Sequence, residues 1–407
     1  MSFDFCAFLC KLDPFVEYEF QSLSGGLINI TVRATKTSHS DAGKFSGQGS
    51  LILKYAPPFI AAIGEEAPFS QTRQDVEARA LALFEPPNGP LSELRQSTSI
   101  SVPLLLHYDA QEHVLVFEDL GRLETLDNYL AAYSREKLGL DTKEWETCHQ
   151  LGYRIGEFFA KLHNLRSLKE IQASVSGDLS NSLTRNLVLR HAVLPIKNHL
   201  LEYKIPDAET LFARVLDDYH RHDLPDELSF GLGDFTPSAV LLEATGDGKQ
   251  RVAVIDWEFS REGRGPHGDM AQFLAALHLL LLAAPSGSSS FMAIEALVRA
   301  TCSAYCRQSS SWLGQTRFNS GTVTRDLRLR LLRSALIMHG REIINGAVKC
   351  DCEWSRNLSV GSMVRVGAWY LERAGNDVED MISDANWFEL LKEDNRIILD
   401  LMREVIN

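Results

Sequence analysis

The chain has 407 residues, 45% of them hydrophobic and 23% charged, and a formal net charge of −13. That length suits two or three folding units, with enough core to need no disulfides. The acidic balance excludes a general nucleic-acid binder, which needs a basic face to neutralise phosphates, but leaves room for a local basic pocket.

Taken in chain order, the N-terminal stretch carries Asp4 and no basic leader, so no secretory signal is expected. Strand-like runs follow at Val16–Phe20, Leu27–Val32, Leu51–Tyr55 and Val114–Phe117, with one helix between them from about Ser70 to Phe84. After Gly121 the pattern turns helical. Cys148–His163 carries an apolar stripe through Leu151, Ile155, Phe158, Phe159 and Leu162. Two short strands, Ala239–Glu243 and Arg251–Ile255, flank the turn at 245–248. From Gly268 onward the chain again reads as helix, with loops near 286–291, 308–322 and 350–360. Its longest apolar stretch, Met270–Ala284, is too short to span a bilayer and reads as a buried helix. The seven cysteines offer no second ligand pair at zinc spacing, so reduced thiols in a cytoplasmic protein are expected. The fold class is α+β: a strand-rich part over residues 1–118 and a helix-rich part over 119–407, with a seam at Glu118–Gly121 suited to a ligand.

Several residues along this frame can carry chemistry. The turn Ser24-Gly25-Gly26 lets backbone N–H groups approach phosphate oxygens, although a plain hairpin turn explains it equally well. Lys54 sits inside an apolar strand, sharing a face with Ile52 while Leu51 and Leu53 point the other way. Glu77 shares a helix face with Ala80, Leu81 and Phe84, and a carboxylate on an apolar stripe needs a partner. Lys54 is the natural one, and a lysine held by a helix glutamate is a device for fixing nucleotide phosphates. Asp234, on the loop Leu232–Pro237, is placed to accept a proton from an attacking hydroxyl. Asp256 ends an apolar strand. If the chain stays extended there, Asp256 and Glu258 share one side, suited to Mg²⁺, with Trp257 on the other. The loop that follows supplies Arg261, Arg264 and His267, which with Trp257 are candidate acceptor contacts. Asp269 opens the apolar helix and reads as its N-cap.

These stretches resemble the methylthioribose kinase branch of the aminoglycoside phosphotransferase and choline kinase superfamily. The likeness runs over roughly residues 16 to 350. It is carried by Leu53–Gly64 with Glu77–Leu81, by Gly233-Asp234 with its hairpin, and by Ile255–Glu258 followed by Gly265-Pro266 and Asp269–Leu274. The resemblance implies a protein-kinase-like two-lobe fold: a small antiparallel-sheet lobe with one helix, and a larger, mainly helical lobe. It implies ATP in the cleft, with Glu118 and Leu120 at the hinge, Lys54 on the phosphates, Asp234 as catalytic base, and Asp256 with Glu258 on Mg²⁺. Four positions depart from the superfamily pattern. Leu232 stands where a loop-supporting histidine is usual, Thr236 where another histidine is common, and Ala239 where many relatives carry an asparagine metal ligand. Of the paired arginines that hold the sugar in methylthioribose kinases, only Arg341 is kept, in His339-Gly-Arg341-Glu342.

The expected activity is therefore ATP-dependent phosphoryl transfer to a hydroxyl of a sugar or metabolite alcohol. The expected partner is a small-molecule hydroxyl acceptor, without nucleic acid or membrane, and a homodimer is left open. Leu232, Thr236 and Ala239 keep a second expectation open, a nucleotide-binding pseudokinase with a regulatory or scaffold role. A third uses ATP for another group transfer.

Overall fold

The computed structural model describes residues 3–23, 26–37, 43–133, 135–174, 182–243, 250–310, 321–349, 359–377, 380–381 and 396–403. A short helix that the sequence reading lacked, α1 (Phe5–Leu12), comes first, capped by Asp4 accepting from the Ala7 N–H. Then come β1 (Tyr18–Ser22), β2 (Ile30–Lys36), β3 (Ser50–Tyr55), the hairpin β4 (Phe59–Ile60) and β5 (Gly64–Pro68), and helices α2 (Arg73–Ala82) and α3 (Ser92–Ser97). Strands β6 (Ile100–Ser101), β7 (Leu105–Asp109), β8 (Val114–Glu118) and β9 (Glu124–Thr125) follow, of which β7 and β8 join the sheet of β1, β2 and β3.

Five strands form one antiparallel sheet in the order β1-β2-β3-β8-β7. Its two faces do different work, as the period of two dictates. Val32, Ala34, Leu51, Leu53, Val114 and Val116 pack with Phe5, Phe8 and Leu9 of α1 into a small separate core. Lys54, Leu115 and Phe117 lie on the opposite face, toward α2. So α1 seals one side of the sheet, and the other faces α2.

The helical part contains α4 (Leu126–Ala131), α5 (Thr142–Leu162), α6 (Leu165–Ser174), α7 (Ser182–Val188), α8 (Pro195–Glu202) and α9 (Ala208–His220). Short strands β10 (Leu228–Gly231), β11 (Val240–Leu242), β12 (Val252–Val254) and β13 (Arg261–Arg264) follow. The chain then continues through α10 (Ala271–Ala283), α11 (Ser289–Ser309), α12 (Gly321–Lys349), α13 (Val360–Arg373) and α14 (Ile397–Leu401). The α+β class is as expected: a small antiparallel sheet with its helices, beside a larger helical region. Helices α5 and α11 pack at close range because α5 offers glycines. A Cβ on Gly152 would lie 2.2 Å from the Leu297 carbonyl oxygen, and one on Gly156 would lie 2.3 Å from that of Thr301. No helix among the described residues is long and apolar enough to cross a membrane. The expected turn at 245–248 lies outside the described residues.

Candidate active site

Lys54 projects from β3 into a cage of carboxylates. Its Nζ lies 2.9 Å from Glu77 of α2, 2.9 Å from Asp256 and 2.9 Å from Glu258. The lysine side chain is only 8% exposed. Burial alone would strip its proton, but Asp256, Glu258 and Glu77 hold its pKa well above the ordinary value. Glu77 feels the opposite balance. Burial and the neighbouring Glu258 and Asp256 outweigh the attraction of Lys54 and push its carboxyl up to about 7. Arg73, buried close to Glu258 and Glu77, adds a second cation to the cluster, so Lys54 and Arg73 together face three carboxylates, one of which, Glu77, is pushed toward its neutral form.

The backbone that delivers Asp256 and Glu258 is not extended. Asp256 adopts a left-handed conformation, φ 62°, and opens a 3₁₀ turn over Trp257–Phe259. That turn still sends both carboxylates to Lys54 and sends Trp257 inward. Trp257 is fully buried, its ring 4.8 Å from Phe84 and its Nε1–H donating to the Val254 carbonyl. The expected acceptor contact at Trp257 is therefore a core position.

Asp234 lies on the loop after β10. Asp269 fixes this loop, and the N-cap role expected of it is corrected: its carboxylate accepts from the Leu232 N–H at 2.6 Å and the Gly233 N–H at 3.0 Å. It also lies 3.4 Å from His163 Nε2, whose other ring nitrogen is 3.0 Å from the Tyr305 hydroxyl. Helix α10 instead starts beyond a turn at Gly265–Met270, with Met270 at its N-cap position. Phe235 stacks between Phe159 (3.9 Å) and Phe273 (4.2 Å), and Leu232 is buried in the same core. Gly233 is required here, since φ is +86° and a Cβ would lie 2.1 Å from the Phe259 carbonyl oxygen.

The Asp234 carboxylate itself reaches solvent and accepts from Gln272 Nε2 at 2.7 Å. Protein crowding around it pushes its pKa up to about 6, against the Gln272 hydrogen bond and with help from Glu342, Glu258 and Asp256. A carboxylate open to solvent yet surrounded by protein and by other carboxylates is suited to taking a proton near neutral pH.

The remaining expected residues divide. Ser24 and Gly25 lie outside the described residues, and Gly26 is exposed between β1 and β2. The Glu118 carboxylate accepts from Arg95 at 2.7 Å and from the Leu104 N–H at 2.8 Å. Leu120 follows Asp119, which is held by Arg33 at 2.7 Å and by the Ser50 hydroxyl at 2.7 Å. That clamp ties the segment after β8 to β2 and β3, and it keeps the Asp119 carboxyl below its ordinary pKa against the cost of burial. On the acceptor side, His267 is fully buried, so its expected substrate contact is corrected to an interior position. Arg264 is likewise turned inward, pairing with Asp218 at 2.5 Å and Asp223 at 3.0 Å. Arg341 is 8% exposed, and its Nε donates to Glu342 at 2.8 Å. Arg261 sits on β13 opposite Gly231; burial lowers its pKa, and Asp269 opposes the shift.

Sequence reasoning missed Gln272, Glu342, Asn29 and Arg73, and gave Asp269 only a capping role. Gln272 had a usable signal, as a polar residue in an otherwise apolar helix. Among the described residues no group of three or more His, Cys, Asp or Glu side chains forms a ready-made metal cage.

No protein-family model matches the chain. It is similar to the 4-hydroxytryptamine kinase of Psilocybe cyanescens, 27% identical over 270 residues that span 63% of this chain and 67% of that protein. The corresponding enzyme of Psilocybe cubensis is 25% identical over 264 residues, again 63% of this chain and 67% of the relative. Among solved structures, the ethanolamine kinase of Plasmodium vivax matches with a TM-score of 0.42 at 12% identity, covering 88% of this chain and 81% of that one. A choline/ethanolamine kinase family protein from Mesorhizobium loti matches with a TM-score of 0.41 at 15% identity, covering 95% and 92%.

Proposed function

We propose that this phosphotransferase moves the γ-phosphate of ATP to the hydroxyl of a small molecule, with Asp234 as the base. The observation that carries the proposal is the pairing of two devices across one site: the Lys54–Glu77 pair, bound to Asp256, and the carboxylate of Asp234 on its braced loop. Lys54 would anchor the phosphates, held in place by Glu77. Asp234, oriented by Gln272, would accept the hydroxyl proton as the acceptor oxygen attacks. Catalysis would then rest mainly on positioning and electrostatics.

The solvent-facing carboxylate of Asp256 beside Lys54 suits a divalent cation. Mg²⁺ is commonly held by one or two carboxylates together with substrate phosphates, so it needs no all-protein cage. Asp256 fits as its ligand, because its side chain is 47% exposed. Glu258 is 5% exposed and engaged by Lys54 and Asn29, so we assign it to the lysine. Bound there, Mg²⁺ would neutralise charge on the phosphate oxygens.

In this reading residues 1–118 serve the nucleotide and residues 119–407 serve catalysis and the acceptor. Glu118 and Leu120 are assigned to the hinge beside the adenine of ATP, and Arg261 and Arg341 to the acceptor side. The likeness to two 4-hydroxytryptamine kinases favours a hydroxylated amine over methylthioribose as acceptor. We place the protein in the cytoplasm. The test is a panel of hydroxylated amines and sugars incubated with ATP and Mg²⁺ and followed by mass spectrometry. A phosphate added to one acceptor with stoichiometric ADP is expected; AMP as the product, or no acceptor turned over, would contradict the proposal.

A further inference from the structure

Asn29 closes the loop between β1 and β2 and is 5% exposed. Its amide is used in both directions: Nδ2 donates to the Glu258 carboxylate, and Oδ1 accepts from Arg73 Nε at 2.8 Å. Arg73, in the first turn of α2, is 2% exposed. Its other nitrogens donate to the Ser70 carbonyl at 2.6 Å and the Pro57 carbonyl at 2.8 Å, and its guanidinium lies 4.7 Å from the Phe69 ring centre. Arg73 thus grips both ends of the β4–β5 hairpin. The hairpin in turn holds the loop, because the Ala61 and Ala62 N–H groups donate to the carbonyls of Ile28 (3.1 Å) and Leu27 (2.9 Å).

A buried arginine near a buried glutamate would ordinarily pair with it directly. Here an amide stands between them. It passes the polarity of Arg73 to Glu258 while leaving Glu258 to contact Lys54 at 2.9 Å. We propose that Asn29 and Arg73 are positioning residues that join the 26–29 end of the β1–β2 loop to Glu258, so that this end of the loop and the glutamate that contacts Lys54 are set as one unit. The inference rests on the kinase reading above. It adds a link between nucleotide affinity and residues that touch neither the acceptor nor the base.

The decisive variant is Asn29→Asp. An aspartate keeps an acceptor for Arg73, so a merely structural role survives, but it sets a carboxylate against Glu258 where an N–H donated. ATP affinity is measured by calorimetry with Mg²⁺ present, beside the thermal midpoint and the acceptor KM. The expected result is ATP binding weakened about tenfold, the size of one lost charge-assisted hydrogen bond, with acceptor KM within about twofold. Asn29→Ser, which removes both bonds without adding charge, is expected to weaken ATP in the same direction and serves if the aspartate variant does not fold. Wild-type ATP affinity in either folded variant overturns the inference and leaves the kinase reading standing. Failure of the wild-type protein to bind ATP overturns both.

Discussion

The two sides of the site treat their charges in opposite ways. Around Lys54 the charged groups converge: side chains from β3, α2 and the turn after β12 meet within 2.9 Å of one nitrogen. Around the loop after Phe259 they diverge. Arg264 turns into the body to meet Asp218 and Asp223, while Arg221 and Arg330 converge on Glu227 at 2.7 Å and 3.0 Å. The first arrangement leaves one of its carboxylates, Asp256, open to solvent. The second is balanced within itself and serves to join β13 to α9 and α12. A run of basic residues beside an active site is therefore no guide to substrate contact until its carboxylate partners are known.

The comparison breaks most sharply at Lys54. Lys54→Met leaves three carboxylates facing one another and should abolish ATP binding by calorimetry while costing about 3–5 kcal/mol in urea denaturation. Retained ATP affinity would mean that the charged cluster is only structural. Trp257→Ala comes next, removing a fully buried indole, with an expected cost of about 3–5 kcal/mol in the same denaturation experiment. A small stability loss joined to a large rise in acceptor KM would return Trp257 to the acceptor site. Arg264→Met should cost about 2–3 kcal/mol by removing charge-assisted bonds to Asp218 and Asp223, with acceptor KM unchanged. The smallest effect is expected at Glu342, on the pH profile. Asp234 must be ionised to act as base and its pKa lies at about 6, so kcat/KM should fall as pH drops through that value. Glu342→Gln removes a negative neighbour, makes ionisation easier and should move the acid limb to lower pH by roughly half a unit. A limb moving upward would place Glu342 elsewhere in the electrostatics.

What could be read from the sequence follows the same division. Lys54 and Glu77 were legible because each is a charge on an apolar stripe with a known period, two in the strand and three to four in the helix. Asp256 and Glu258 do project to one side, onto Lys54, but by a backbone the sequence did not suggest. A left-handed residue and a 3₁₀ turn do what an extended strand was expected to do. Asp269 reads as a helix cap because a helix follows it, while its partners, the Leu232 and Gly233 N–H groups, come from a distant loop that no local pattern connects to it. Arg264 shows the same limit, since Asp218 and Asp223 lie on and just beyond α9. Asn29 and Arg73 sit in no recognisable pattern at all and became visible only through the hydrogen bonds that join them.

The account turns on Asp234 being the base in a site whose nucleotide half stands without it. The most direct test is Asp234→Asn, followed in parallel by calorimetry with ATP and Mg²⁺ and by ADP formation with the acceptor. Nucleotide affinity should stay within about twofold of wild type while kcat falls roughly 10²- to 10⁴-fold. Full turnover by the asparagine variant would contradict the assignment of Asp234 and the separation of the two halves built on it.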